Sequence, residues 1–246
     1  MIVKEGRTPK ILPFDMSHVV RRADGTLGYD NLPKSLVEQF ENTVKGHASE
    51  EALYELGGER VTYQQFWDRS SRVAGGLRAK GIAPGDRVAI NLPNGNNWAY
   101  AFYGVLMAGA VVVPVNTRFS PQEVDYVVTD SGSKYVFTAD QQLPDGDPTV
   151  NRDRGHKDLA AIFYTSGTTA RPKGVQLTHR SLWVNSAVFG WQIGVNDRDT
   201  YLHERVHRES LEQVDRFFAW GDVQQADILR KVPGAAAKIR VTGHPR

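Results

Sequence analysis

The residues best suited to chemistry lie in one stretch, Leu159 to Arg180, with the sequence LAAIFYTSGTTARPKGVQLTHR. Hydroxyl and glycine residues are concentrated at its centre: Thr165, Ser166, Gly167, Thr168 and Thr169. Such a loop can direct several backbone N–H groups and hydroxyls toward one anion, because glycine accepts the dihedral angles that a concave loop needs. Lys173 adds a compact positive charge that can reach a phosphate. The stretch therefore predicts a polyphosphate site.

The spacing of this stretch differs from that of the best-known phosphate-binding loop. The pattern G-x-x-x-x-G-K-[ST] places a Gly-Lys pair five residues after its first glycine. Here Pro172 stands five residues after Gly167, and Lys173 precedes its glycine. The dinucleotide-binding pattern G-x-G-x-x-G is also absent from the sequence. An ordinary surface turn rich in Ser, Thr and Gly is the structural alternative.

Two apolar runs flank the loop and must hold it in place. Leu159–Tyr164 has the length and composition of a buried strand, and Val175–Leu177 predicts a second short strand. Upstream, the patterns predict four helices: Ser35–Thr43, Thr62 to about Lys80, Asn96–Ala108, and one from a Ser120 cap to Asp130. They also predict a hairpin over Ala52–Leu56 and Arg60–Thr62, and strands at Arg87–Asn91, Val111–Val115 and Lys134–Thr138. This alternation predicts an α/β fold with a doubly wound, mostly parallel sheet and flanking helices.

Three ordered motifs resemble those of one enzyme superfamily. YTSGTTARPKGV closely resembles the phosphate-loop signature of the adenylate-forming, AMP-binding superfamily, and LTHRSLWVN looks most like its fatty-acid CoA ligase branch. Upstream, Arg60–Phe66 is similar to the family's T-Y-x-x-L/F motif, and Leu106–Asn116 is similar to K-A-G-A-x-x-x-P-x-N. The resemblance covers roughly Ser35 to Tyr201.

This resemblance implies a division of the chain into three parts. Residues 1–34 are expected to be an extended lead-in, and 35–200 a partial AMP-binding domain that resembles a truncated large N-terminal domain of the adenylate-forming fold. Residues 201–246 are not family-like, and a helix followed by a basic tail is expected there, with Phe217 and Phe218 on the apolar side of the helix.

The resemblance also implies a reaction in two steps. A carboxylate, here a fatty acid, attacks the α-phosphate of ATP to give an acyl-adenylate and pyrophosphate, and the thiol of coenzyme A then takes the acyl group. By resemblance, Lys173 is the catalytic residue. The same resemblance assigns the β- and γ-phosphates to Thr165, Ser166, Gly167, Thr168, Thr169 and Lys173. Mg²⁺ is expected as a cofactor, although no ligand for it is found in the sequence.

The sequence departs from the family pattern at three places. Ala170 stands where the family usually has glycine, and the short polar segment 139–158 is expected to be a solvated loop. After His203 the family-like sequence ends: no Tyr-Gly-x-Thr-Glu motif, convincing Tyr-x-x-Gly-Asp motif or C-terminal catalytic lysine is found. We therefore expect a truncated acyl-CoA synthetase, such as a frameshift or deletion produces, that is inactive alone. A non-catalytic nucleotide-binding remnant or interaction protein is the alternative.

The residues at the end of the family-like sequence match the motif of a different enzyme class. His203-Glu204-Arg205-Val206-His207 matches H-E-x-x-H, the pattern of zinc hydrolases with two histidines on one helix face. Arg205 places a positive charge between the two histidines, and Ser210 replaces the glycine of the extended pattern. A zinc hydrolase is thus an unfavoured alternative, and no metal ligand is assigned.

Composition and charge limit the partners and the cellular compartment that are expected for this protein. The charge is nearly balanced, with 30 basic and 28 acidic residues among 246, and the basic residues are scattered, so no nucleic-acid partner is expected. The sequence has no cysteine, which excludes disulfides and suits a reducing compartment. The N-terminus has no continuous apolar core of signal-peptide length, and the longest apolar stretch, Val105–Val115, is too short for a membrane span. A cytoplasmic protein is expected.

Overall fold

The computed structural model describes residues 18–23, 25, 27–55, 58–165 and 171–192, together with 217–219, 229 and 239–241. The chain divides into two compact units, residues 1–187 and 188–246. The helices are α1 (Leu36–His47), α2 (Tyr63–Ala79), α3 (Asn96–Met107), α4 (Pro121–Ser131) and α5 (His179–Gln192). The strands are β1 (Val19–Arg21), β2 (Leu27–Tyr29), β3 (Glu51–Tyr54), β4 (Arg60–Thr62), β5 (Arg87–Asn91), β6 (Val111–Pro114), β7 (Ser133–Thr138), β8 (Leu159–Thr165), β9 (Lys173–Thr178), β10 (Phe217–Ala219) and β11 (Ile239–Val241).

The central feature of the first unit is a five-stranded sheet in the order β7-β5-β6-β8-β9. Strands β5, β6, β7 and β8 are parallel, and β9 pairs antiparallel with β8. The chain passes from the centre to one edge at β7 and then back across the sheet to β8, as expected for a doubly wound fold. Because the four parallel strands share one direction, their carboxyl ends form one edge of the sheet, and the predicted phosphate loop follows β8 at this edge.

Both faces of the sheet are covered, which explains the continuous apolar runs of its strands. Val88, Ile90 and Val112 face one core, which includes residues of α1, α2 and α3. Ala89 and Val113 face a second, smaller core with α4. The aromatic residues of α3 serve core packing: Tyr100 is buried in the first core, and Trp98, Phe102 and Tyr103 pack against it.

The helix starts follow the local sequence. Thr62 begins α2 with a capping box to Gln65, and Ser120 begins α4 with a capping box to Glu123, as predicted for α4. Pro121 occupies the first turn of α4, where its missing N–H costs nothing. Gly132 ends α4 in the left-handed conformation with φ of +62°.

The segment 139–158 lacks helix and strand, but its prediction as a solvated loop is wrong in part. Its backbone lies against α2: the N–H of Gly146 donates to the Arg72 carbonyl at 3.1 Å, and Thr149 donates to Ser71 at 3.0 Å. Asp145 also forms an ion pair with Arg72. Two consecutive glycines of α2, Gly75 and Gly76, explain this packing, because they have no side chain and leave room for the backbone of the segment. The segment is therefore a packed strap across the helix.

Two other described segments differ from expectation. Within residues 1–34, expected to be extended, β1 and β2 form an antiparallel hairpin with Gly25 at its turn. In the second unit, Phe217 and Phe218, expected in a helix, lie in β10, which pairs in parallel with β11. Aromatic residues favour strands, so the short run Phe217–Ala219 suits this pairing. Among the described helices, none is long and apolar enough to cross a membrane.

Candidate functional site

The β8–β9 hairpin brings the two ends of the predicted phosphate loop together. Thr165 is the last residue of β8 and Lys173 the first of β9, and the two are cross-strand partners. Both side chains are exposed at the carboxyl edge of the sheet. The predicted ligands Ser166, Gly167, Thr168 and Thr169, and the departure Ala170, lie outside the described residues. The structure thus places the first and last predicted site residues opposite each other.

Lys173 carries a charge that no described carboxylate compensates. Its side chain is exposed, and within the described part of the chain no carboxylate lies within salt-bridge distance of its ammonium group. An ammonium group without a protein partner is available to an anionic ligand, and phosphate oxygens are strong acceptors for it.

Helix α4 reaches the loop through an aromatic side chain. The hydroxyl of Tyr126 donates a hydrogen bond to the Pro172 carbonyl at 3.2 Å. The guanidinium carbon of Arg171 lies 5.6 Å from the centre of the Tyr126 ring, within the range of a cation–π contact. Tyr126 therefore contacts both of the described residues that directly precede β9.

A second tyrosine approaches the loop from β8. The hydroxyl of Tyr164 donates to Asp130 Oδ2 at 2.6 Å, which ties β8 to the last turn of α4. Burial raises the pKa of this hydroxyl, and donation to the Asp130 carboxylate raises it further. Tyr164 therefore stays a neutral donor at physiological pH. Its ring also lies across Gly174, where an added Cβ would stand 3.1 Å from Tyr164 Cζ.

A crevice opens at the carboxyl ends of β5 and β6. Its volume is about 370 Å³. Its walls are formed by Leu92, Pro93, Asn94, Trp98, Val115, Asn116, Thr117 and Arg118. The connections that leave β5 and β6 pass to opposite faces of the sheet, since α3 packs in the first core and α4 in the second. Open α/β sheets take their ligands at such a divergence.

A buried histidine fixes the element that follows β9. His179, the first residue of α5, is only 1% exposed, and its Nδ1 accepts a hydrogen bond from the Leu36 N–H at 3.3 Å. Burial lowers its pKa to about 4, and nearby Arg154 and His156 favour the neutral form, against the opposing effect of Asp158. His179 therefore joins the start of α5 to the start of α1 as a neutral acceptor.

The sequence motifs gave no role to Tyr126, Asp130 or Tyr164, and they gave none to the polar residues of the crevice, although Tyr164 and Asn116 belong to two of the motifs. Their roles depend on which elements become neighbours in the sheet, and no spacing along the chain reports that. A tyrosine next to a hydroxyl-rich loop was the one local signal. His203, Glu204 and His207 lie outside the described residues. Among the residues that are described, no group of three His, Asp or Glu side chains could hold a metal ion.

Three comparisons with known proteins agree on one kind of enzyme. A family model described as AMP-binding enzyme matches residues 40–157 and 140–204. The chain is similar to the long-chain-fatty-acid–CoA ligase FadD13 of Mycobacterium tuberculosis, with 39% identity over 175 residues. That match covers 58% of this chain and 34% of FadD13, so the chain spans about a third of the length of this relative.

Solved structures show the same likeness. The inhibitor-bound N-terminal domain of FACL13 from Mycobacterium tuberculosis matches with a TM-score of 0.58 and 27% identity, covering 87% of this chain and 58% of that chain. The o-succinylbenzoate CoA synthetase MenE from Bacillus subtilis, bound to its acyl-adenylate intermediate, matches with a TM-score of 0.61 and 20% identity, over 87% of this chain and 57% of that chain. At that lower identity the likeness shows the fold alone.

Proposed function

Because the chain belongs to the AMP-binding enzyme family, we propose that it carries the ATP-phosphate-binding half of an adenylate-forming acyl-CoA ligase site. The observation that carries this proposal is the pairing of Thr165 with Lys173 across the mouth of the TSGTTARPK loop. Lys173 is exposed and the described carboxylates leave it unpaired, so its charge can serve a ligand.

In the proposed site, the loop holds the β- and γ-phosphates of ATP. Hydroxyls and backbone N–H groups from Thr165, Ser166, Gly167, Thr168 and Thr169 donate to phosphate oxygens, and the Lys173 ammonium group neutralises their charge. A substrate carboxylate oxygen forms a bond to the α-phosphorus, the bond from that phosphorus to the bridging oxygen breaks, and pyrophosphate leaves with the electron pair. Lys173 stabilises the charge that develops on this leaving group.

The proposed substrate is a carboxylic acid of the fatty-acid class. Support comes from FadD13, whose name records a long-chain fatty acid, and from the ligase-like run that begins α5. Coenzyme A is the proposed second substrate. The crevice at the carboxyl ends of β5 and β6 lies on the same edge of the sheet as the proposed site and can take a polar part of a ligand. The use of ATP and the lack of cysteine suit a cytoplasmic protein.

We further propose that these 246 residues bind ATP but do not complete the reaction alone. The family's Tyr-Gly-x-Thr-Glu motif and C-terminal lysine are not found in the sequence. The described residues do not fit a magnesium site, since no carboxylate cluster is present among them. The same features favour a non-catalytic nucleotide-binding protein as the second candidate.

Ligand competition and isotope exchange test this proposal together. In calorimetric titrations, ATP and inorganic tripolyphosphate are expected to compete for one site, and adenosine is expected not to compete. Carboxylate-dependent exchange of pyrophosphate into ATP, measured with a panel of acids, is expected to stay at background. Exchange above background would overturn the proposed inactivity, and a folded protein that binds neither polyphosphate would overturn the proposed function.

A further inference from the structure

Two tyrosines hold the backbone on either side of Lys173. Tyr126 from α4 contacts Pro172, the residue before it, and Tyr164 from β8 contacts Gly174, the residue after it. From this arrangement, which rests on the proposed function, we propose that Tyr126 and Tyr164 are positioning residues that set the place of Lys173 before a polyphosphate binds.

The contact of Tyr126 fixes the entry to β9. Pro172 has no N–H, so its carbonyl is the one backbone group through which hydrogen bonding can hold it. The Tyr126 hydroxyl donates to this carbonyl at 3.2 Å, and the Tyr126 ring lies 5.6 Å from the Arg171 guanidinium carbon. The hydroxyl restrains the peptide next to Lys173, and the ring draws the Arg171 side chain toward α4.

Tyr164 restrains the backbone on the other side of Lys173, at Gly174. Gly174 lies directly opposite Tyr164 in the hairpin, and an added Cβ at Gly174 would meet Ile162 Cγ2 at 2.8 Å and Tyr164 Cζ at 3.1 Å. The ring therefore occupies the space where a side chain would stand. Its hydroxyl is anchored on Asp130 at 2.6 Å, so the ring cannot swing away without breaking this charged hydrogen bond.

Both tyrosines depend on the same helix. The rings of Tyr126 and Tyr164 meet edge to face with their centres 6.4 Å apart. Tyr126 is next to Val127, which is fully buried in the second core and packs α4 against the sheet. Helix α4 thus provides a rigid wall for the exit of the phosphate loop. A loop ordered in advance loses less conformational entropy when its ligand binds, so the pair should strengthen affinity for polyphosphate without touching it.

Hydroxyl deletions test this role with a matched control. Tyr126→Phe and Tyr164→Phe each remove one oxygen and keep the ring. Tyr135→Phe is the control, because Tyr135 is a half-buried tyrosine of β7, at the opposite edge of the sheet from β9, where it contacts Phe137 and Lys80. The measurements are the dissociation constant for inorganic tripolyphosphate, hydrogen exchange of residues 171–175, and the melting temperature.

We expect Tyr126→Phe and Tyr164→Phe to weaken tripolyphosphate binding about five- to tenfold and to speed exchange at 171–175, with Tyr135→Phe within twofold of wild type. A coupling test separates positioning from general stability. In a Lys173→Ala background, Tyr126→Phe should change the affinity less than twofold, because the group that it positions is gone. The ³¹P shift of tripolyphosphate reports these weaker affinities into the millimolar range.

The outcomes distinguish this inference from the proposed function. If wild type binds tripolyphosphate and both tyrosine variants bind it equally well, the positioning role is wrong and the function stands. If Tyr126→Phe costs the same factor with and without Lys173, the role is merely structural and the inference is overturned. If folded wild type does not bind tripolyphosphate, the proposed function fails and the positioning role fails with it.

Discussion

His179 is a single residue whose charge state is dictated by the fold. It is 1% exposed, and burial holds its pKa at about 4, against 6.5 for an ordinary histidine. Between these two values the unfolded chain binds a proton at this site that the folded chain does not. The free energy of unfolding should therefore fall as the pH drops from 6.5 to 4, by up to about 1.4 kcal/mol per pH unit. Above pH 6.5 this contribution is constant.

The variant His179→Gln should flatten the pH dependence of stability between pH 6.5 and 4, because glutamine keeps an acceptor and cannot titrate. Urea unfolding at a series of pH values measures this. His18→Gln is the control, since His18 is exposed beside Asp30. A slope in His179→Gln equal to that of wild type would show that another group is responsible.

Residue types in one short stretch predicted Thr165 and Lys173 as phosphate ligands, and that role stays a prediction. The structure adds that the two are cross-strand partners, and it shows supports that the sequence did not predict. Tyr126 lies 46 residues before Pro172 in the chain, and only the order of strands in the sheet brings the two together. Ser166, Gly167, Thr168 and Thr169 stay predictions.

At the scale of elements, Ser120 begins the helix that supports the loop. Its side chain accepts from the Glu123 N–H, and the Glu123 carboxylate accepts from the Ser120 N–H at 2.7 Å. Ser120→Ala should lower the free energy of unfolding by about 1 kcal/mol, because an orphan N–H of the first turn loses its acceptor. Ser120→Asp restores an acceptor and should recover most of the loss in urea titrations. Equal stability of Ser120→Ala and wild type would contradict the capping role.

The strap of residues 139–158 provides a sharper test of packing. A Cβ built on Gly75 would stand 1.9 Å from the Asp147 carbonyl oxygen, so Gly75→Ala forces the strap away from α2. The expected loss is about 1–3 kcal/mol, as for other overpacked sites.

The matched control is Gly46→Ala in α1, where an added Cβ meets nothing within 4 Å. It should raise stability by about 0.5–1 kcal/mol through the better helix propensity of alanine. Thermal unfolding of both variants measures the contrast. A Gly75→Ala protein as stable as wild type would mean that the strap is not packed on α2 in solution.

Elements with strong local signals were predicted closely. The strand at Arg87–Asn91 is observed at the same bounds, and α4 extends one residue beyond the prediction. The predicted α1 was four residues too short at its C-terminus: the helix runs to His47, and its buried Val44 continues the apolar spacing of Val37 and Phe40 beyond the predicted end. The strap was mispredicted because its polar residues suit a solvated loop. Gly75 and Gly76 of α2 did not reveal the packing in the sequence, because their role depends on the strap backbone that crosses them.

At the scale of the whole molecule, the sheet order explains why the proposed site lies at one edge. Four parallel strands end there, so Thr165 at the end of β8 shares that edge with the crevice at the ends of β5 and β6. The alternation of helices and strands predicted this architecture, and the family's structures share it.

Calorimetric titration of ATP into the purified chain bears most directly on the phosphate-binding role of Lys173. We predict saturable binding of one ATP per chain, weakened at least tenfold in Lys173→Ala, since a hydrogen bond to a charged group contributes about 1.5–3 kcal/mol. Lys157→Ala, which removes an exposed lysine from the strap, should bind within twofold of wild type. Equal affinity of Lys173→Ala and wild type, or no binding by folded wild-type protein, would contradict the assignment.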